Sequence, residues 1–311
     1  MVIERFRFKA AQPPVRRSRS SLETHFRAIV PPPFTVRSLP NVRAEVGNYC
    51  LRMAEGRADR EAACRLRFKV FNIELGEGLA VSYETGLDTD RFDRVCDHLL
   101  VEDKASRRVV GTYRMQSGTT AARQLGYYSE REFNLAPYEP LRPGVLELGR
   151  AAIDREHRTP EVLTLLWRGI AQYAHHLNLR YLLGCSSLNS CDPVEGWQLF
   201  HQLEPYRVPP EFETVTTAAY ACPETREKAP SKEVIWDAGN DEDGAVRDLN
   251  RATPAPVKIP RLLKTYLAIG ARIAAPPAWD REFRTIDFLT LLDLDLLSPA
   301  ARNRFLGPLT Q

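Results

Sequence analysis

One strongly amphipathic helix flanked by two short apolar strands constrains this fold more than any other feature. From Pro160 to Asn178, Val162, Leu166, Ile170, Tyr173 and Leu177 recur at helical spacing, with Thr159 as N-cap and Pro160 at the first helical position. Val145 to Ile153 before the helix and Tyr181 to Ser186 after it read as strands. Strand, helix and strand in that order form a crossover, which joins parallel neighbours. Upstream, His98 to Met115 reads as a hairpin turning at DKASRR. Further upstream, Leu51, Ala54, Ala58, Ala62, Leu66 and Val70 predict a helix over Tyr49 to Ile73. Downstream the chain predicts a helix from about Pro193, a polar loop over 223–260, a helix from Ile259 to Ala274, and a strand from Phe288 to Leu296 interrupted by Asp293 and Asp295. The order predicts an α/β fold: a mixed, mostly antiparallel sheet flanked by helices, with one crossover at the back.

Apolar content of 43% and charged content of 27% support a core and exclude a wholly disordered, collagen-like or coiled-coil chain. No run of about 18 apolar residues is present to cross a membrane, and MVIERFRFKAAQPP lacks a signal core, so a cytoplasmic protein is expected. The scattered Cys50, Cys64, Cys96, Cys185, Cys191 and Cys222 form no CxxC pair and read as reduced thiols. Charge is uneven: residues 1–43 hold nine Arg or Lys against Glu4 and Glu23, a net +7 in a chain of net +3. Residues 1–44 are therefore read as a basic, disordered tail with an anionic partner, a membrane surface rather than nucleic acid. Residues 45–222 are read as the core, and 223–311 as a linker and an extension packing on it.

Four constellations carry candidate chemistry. Arg67 and Phe71 stand four apart and would share a helix face, ahead of Glu74, Leu75 and Gly76. Asp88, Asp90 and Asp93 crowd a loop, where three carboxylates repel unless cations or donors compensate; the spacing does not fit a calcium loop. Glu147 and Arg150 interrupt an apolar strand, where a charge is unfavourable unless paired. Glu147 suits a general base, or half of a structural ion pair, and Arg150 suits a carboxylate or phosphate partner. Arg155, Arg158 and Thr159 precede the best helix, whose N-terminus favours an anion such as a phosphate, although no glycine-rich nucleotide fingerprint is present. His175 and His176 are adjacent and diverge on a helix, so they do not chelate as a pair, and no metal site is expected. Neither a Gly-x-Ser-x-Gly elbow nor a His-Glu-x-x-His motif occurs, which argues against common serine hydrolases and zinc proteases.

In order and spacing, LRxxVF with Glu74-Leu75-Gly76, then Asp88, Asp90 and Asp93, then VGTYR ending at Arg114, then Glu147-x-x-Arg150, resemble the acyl-homoserine-lactone synthase branch of the GNAT acyltransferase fold. Asp88 stands where that branch usually has Glu, and Glu77 where it has Trp. RLRFKVFNIELG, DTDRFDRVCDHLLV, YYSEREFNL, LELGRAAI and the run from Pro260 to Leu297 resemble more closely the hemolysin-like ornithine-lipid N-acyltransferases, over roughly residues 46–305. That resemblance implies transfer of a 3-hydroxy fatty acyl group from acyl carrier protein to the α-amine of ornithine, in lipid biosynthesis, with no further cofactor. Alternatives are a different acceptor such as glycine, or a non-catalytic lipid-binding protein. It further implies Glu147, Arg150 and Asp90 as catalytic residues. Arg67, Phe71, Asp88, Asp93 and Arg114 are the substrate-binding candidates, and Arg155, Arg158 and Thr159 the candidates for pantetheine phosphate. The product being a lipid, the inner face of the cytoplasmic membrane is the expected workplace.

Overall fold

The computed structural model describes residues 40–224 and 256–306. Most of the basic tail and most of the polar loop read from the sequence lie outside the described residues. The elements are β1 (Arg43–Val46), β2 (Tyr49–Met53), α1 (Arg57–Phe68), α2 (Ser82–Thr85), β3 (Asp97–Asp103), β4 (Arg108–Ser117), α3 (Gly118–Arg123), β5 (Val145–Ile153), α4 (Pro160–His176), β6 (Tyr181–Leu188), α5 (Pro193–Gln202), α6 (Arg261–Ile269), β7 (Arg272–Ile273), β8 (Ala278–Asp280), β9 (Thr285–Asp293) and α7 (Pro299–Leu306). They build one sheet in the order β1-β2-β3-β4-β5-β6-β9-β7, with β8 paired to β9. Among these pairs only β5 and β6 run parallel, joined by α4 as the crossover.

The helix that anchored the sequence reading forms as expected. Thr159 Oγ1 accepts the Val162 N–H, and Val162, Leu165, Leu166, Ile170 and Tyr173 are all fully buried. They pack on Leu51, Met53, Leu99 and Val101 of the sheet. Burial of each such side chain contributes about 1.5–3 kcal/mol. Along β5, Ala151 and Ile153 pack towards this α4 core, whereas Ala152 meets Leu66 and Val70. The period of two thus places α4 and α1 on opposite faces.

Four expectations differ. Tyr49–Met53 is a strand rather than the start of a helix, because its alternating burial on β3 outweighs a spacing that a helix would also satisfy. The body starts earlier than expected: Arg43–Val46 is a strand, with Val42 and Ala44 buried. The C-terminal segment does more than pack on the core, since β9 pairs with β6 over eight residues and stands between β6 and β7. The helix expected to reach Ala274 ends at Ile269, where Gly270 turns left-handed (φ +111°) and β7 begins.

The site owes its position to two irregularities in β5. Pairing with β6 covers only Val145, Leu146 and Glu147; beyond that the strands diverge. Towards β4 the register shifts between Thr112 and Arg114, and Arg150 adopts φ +48°, a left-handed conformation costing a non-glycine residue about 1–3 kcal/mol. The wedge between β5 and β6 opens into a cavity of about 930 Å³.

Candidate active site

Beside the cavity lies a neutral ionic cluster. Arg67, fully buried on α1, donates to both oxygens of Asp93 at 2.7 and 2.9 Å and to Asp88 Oδ1 at 3.0 Å. Arg114 on β4 donates to Asp90 Oδ1 at 2.7 Å and to Asp93 Oδ1 at 3.3 Å. Arg150 approaches Asp88 at 3.5 Å and Asp90 at 3.8 Å. Three carboxylates face three guanidinium groups. Burial alone would raise the Asp93 carboxyl, but the Arg67 hydrogen bonds and the charges of Arg67 and Arg114 hold it well below the ordinary range. Asp90 and Asp93 also cap the short 3₁₀ turn Arg91–Arg94 reciprocally.

Four of the sequence candidates, Arg67, Asp88, Asp90 and Asp93, lie off the cavity and pair with one another beside it. They position Arg114 and Arg150, which do line it. Phe71 lines it too, but not through a shared α-helical face. From Lys69 to Leu75 the helix continues as a π-helix, the wider turn often found at functional sites.

Glu147 faces the cavity from the last position at which β5 pairs with β6. Its carboxylate accepts from the Tyr128 N–H at 2.9 Å, the Ser129 N–H at 2.8 Å and the Ser129 hydroxyl at 2.7 Å. Burial raises its pKa against these three donors. The left-handed turn at Arg150 brings that side chain to the same segment: Nη2 lies 3.1 Å from the Tyr128 hydroxyl, with the guanidinium over the Phe283 ring at 4.5 Å. Strict alternation would have sent residues 147 and 150 to opposite faces; the bulge overrides it. At Gly184 on β6 a Cβ would stand 2.3 Å from the Leu148 carbonyl oxygen, so only glycine permits the strands this close where they part.

At the end of β5 stand Arg158 and Thr159, both on the cavity lining. Arg158 is held by Glu74 at 2.6 and 2.8 Å. Arg155 is exposed and off the lining, so it does not join them. Exposed Lys258 and Arg261 add positive charge to this lining. Their signal in the sequence was weak, since a lone base near a helix start is ordinary. The apolar wall includes Leu163, Trp167, Leu182, Tyr266 and Leu292.

Sequence reasoning missed a second acidic group on the lining: Asp280 and Asp287, with Glu132 of the segment YYSEREF. One oxygen from each lies within 4.8 Å of the others, and all three residues are buried. Burial pushes Asp287 up to about 6 and, with the charges of Asp287 and Asp280, raises Glu132 well above the ordinary range. Nearby Glu77 is pushed up to about 7 by burial and then by Asp287. The signal was present: Asp287 interrupts the apolar run of β9 just as Glu147 interrupts β5.

Residues 66–168 match the acetyltransferase (GNAT) domain family, a stretch that holds β4, the bulged β5 and the first half of α4, and the mixed, mostly antiparallel sheet flanked by helices is a GNAT-type acyltransferase fold. Over most of its length the chain is similar to proteins named L-ornithine Nα-acyltransferase. That of Brucella abortus (strain 2308) is 28% identical, the match covering 85% of this chain and 93% of the relative. That of Rhizobium meliloti (strain 1021) is 29% identical, covering 85% and 86%. Among solved structures, the AHL synthase LasI matches with 12% identity and a TM-score of 0.45, covering 86% of this chain and 98% of that one. FeeM, an N-acyl amino acid synthase from uncultured soil microbes, matches with 11% identity and a TM-score of 0.43, covering 82% and 97%.

Proposed function

We propose that this protein transfers a 3-hydroxy fatty acyl group from the phosphopantetheine thioester of acyl carrier protein to the α-amine of ornithine. The names of the relatives support the acceptor. The observation that carries the reading is the two-ended chemistry of one cavity: an apolar wall at Trp167, Tyr266 and Leu292 for an acyl chain, and Glu147, Ser129 and Arg150 for an amino acid.

The residues take the following roles. Arg150, which lines the cavity while its Nε faces Asp88 at 3.5 Å, receives the acceptor's α-carboxylate. The incoming α-ammonium gives one proton to Glu147 through the Ser129 hydroxyl, which already donates to that carboxylate. The freed amine attacks the thioester carbon, and the β5 backbone released from β6 beyond Glu147 supplies N–H donors for the oxyanion. That attack forms the C–N bond; collapse of the tetrahedral intermediate breaks the C–S bond, and the thiolate takes the second amine proton and leaves as a thiol. Arg158 and Thr159 at the start of α4, with Lys258 and Arg261, receive the pantetheine phosphate. The chemistry needs no metal.

No helix among the described residues is long and apolar enough to cross a membrane. The net +7 of residues 1–43 tethers the enzyme to anionic headgroups at the cytoplasmic face, at roughly 1 kcal/mol per basic residue near the surface.

Purified protein incubated with ornithine and 3-hydroxyacyl carrier protein, with and without a chelator, is expected to form Nα-acyl-ornithine detectable by mass spectrometry in both cases. Acylation of glycine but not ornithine would replace the acceptor. Acylation of no amino acid by any long acyl thioester would leave a lipid-binding protein and end the acyltransferase reading.

A further inference from the structure

We propose that Glu132, Asp280 and Asp287 bind the side-chain ammonium of a diamino-acid acceptor, and thereby select which of its two amines is acylated; this rests on the acyltransferase reading above. The cluster is assembled from distant parts of the chain. Glu132 follows the 3₁₀ turn Tyr128–Arg131, Asp280 ends β8, and Asp287 faces Ser187 across the β6–β9 pairing. The three residues are 1%, 1% and 5% exposed. Among the described residues no Lys or Arg lies within ion-pairing distance of any of them, in contrast to the cluster around Arg67.

Two of the acceptor atoms are orphaned. Glu132 Oε2 and Asp287 Oδ1 are buried without a hydrogen-bond donor, while both residues line the cavity. Buried acceptors of this kind are unfavourable unless something donates to them. An alkylammonium brings three N–H donors and no acceptor. The three oxygens lie within 4.8 Å of one another, close enough for one ammonium to donate to all three.

The position relative to Glu147 gives the cluster its consequence. Ser129 holds Glu147, and the Glu132 N–H donates to the Ser129 carbonyl, so one turn presents both the proton acceptor and the ammonium site. Phe283 links the cluster to Arg150: its N–H donates to Asp280 Oδ1 at 2.9 Å, and its ring lies under the Arg150 guanidinium. An amino acid held by its carboxylate at Arg150 and its side-chain ammonium at the cluster has only its α-amine free for the thioester.

The test compares ornithine with norvaline, its analogue lacking the terminal amine, as acceptors for wild type, Glu132→Gln and Asp287→Asn. Wild type is expected to prefer ornithine by a factor on the order of 100 or more in kcat/KM, since a site built around a charge rejects the analogue lacking it. Each variant is expected to reduce that preference at least tenfold, chiefly through KM for ornithine. A thermal melt confirms folding, and the second variant covers a failure of the first. Wild type that acylates both acceptors equally, or variants that keep the preference, would overturn the inference while leaving the acyltransferase reading intact. So would activity that chelation abolishes and a divalent cation restores through these residues, which would make the cluster a metal site. Failure of wild type to acylate any amino acid would instead remove the reading on which the inference rests.

Discussion

Two carboxylate trios lie within this one fold, and only one of them is neutralised. Asp88, Asp90 and Asp93 face Arg67, Arg114 and Arg150, and four of these six side chains lie off the cavity, pairing with one another and with the two at its wall. Among the described residues Glu132, Asp280 and Asp287 face no such partner, and they open onto the cavity. Buried charges are tolerated when their partners are fixed in place; where partners are missing, the groups keep protons or await a cation. The balanced trio is a scaffold, and the unbalanced one is free to act on a ligand. Their pH signatures oppose each other. Asp93, held low, contributes stability that is present above the ordinary aspartate range and lost as pH falls. Asp287, raised to about 6, contributes stability that is present below the ordinary range and lost as pH rises through about 6.

Breaking the balanced trio should have the largest effect. Arg67→Met leaves Asp88 and Asp93 buried without their main partner, and a loss of about 3–5 kcal/mol is expected in urea unfolding at neutral pH. A loss below about 1 kcal/mol would mean that water or a side-chain shift compensates, and the scaffold assignment would fall. Glu147→Gln, between the two trios, is expected to lower turnover roughly 100- to 10,000-fold. Turnover within about threefold of wild type would make Glu147 simply the anchor for Tyr128 and Ser129.

Relieving the unbalanced trio should act in the opposite direction. Asp287→Asn is expected to stabilise the ligand-free protein by about 1–3 kcal/mol at pH 8, with the gain shrinking towards pH 4. Thermal melts across that range check the sign; destabilisation at pH 8 would show that Asp287 is already compensated. The smallest effect is expected for Arg180→Ala, which removes an exposed pair with Asp293 on the same strand as Asp287. It should leave the unfolding midpoint nearly unchanged. A larger change would mean that burial is not what separates these groups.

Much of the fold was legible because local periodicity reports local burial. The spacing of Val162, Leu166, Ile170 and Tyr173 defines α4, and the apolar runs on either side define β5 and β6. Tyr49 to Met53 was misread because a five-residue strand running into a helix satisfies both periods. For the site, the rule that a charge in an apolar strand needs a partner singled out Glu147 and Arg150 and would equally have singled out Asp287. It identifies residues needing explanation without saying what provides it.

By itself, then, the sequence determined the crossover, the helix α4 that makes it, and the charges set into the apolar run of β5. Each is settled by neighbours a few residues away. Only the tertiary structure decided which carboxylates are neutralised. Asp88, Asp90 and Asp93 meet their guanidinium partners because α1, β4 and a bulge at Arg150 converge. Asp287 meets Glu132 instead because β9, late in the chain, pairs beside β6. Ion pairing depends on distances of a few ångströms between remote segments, and strand order and register set those distances.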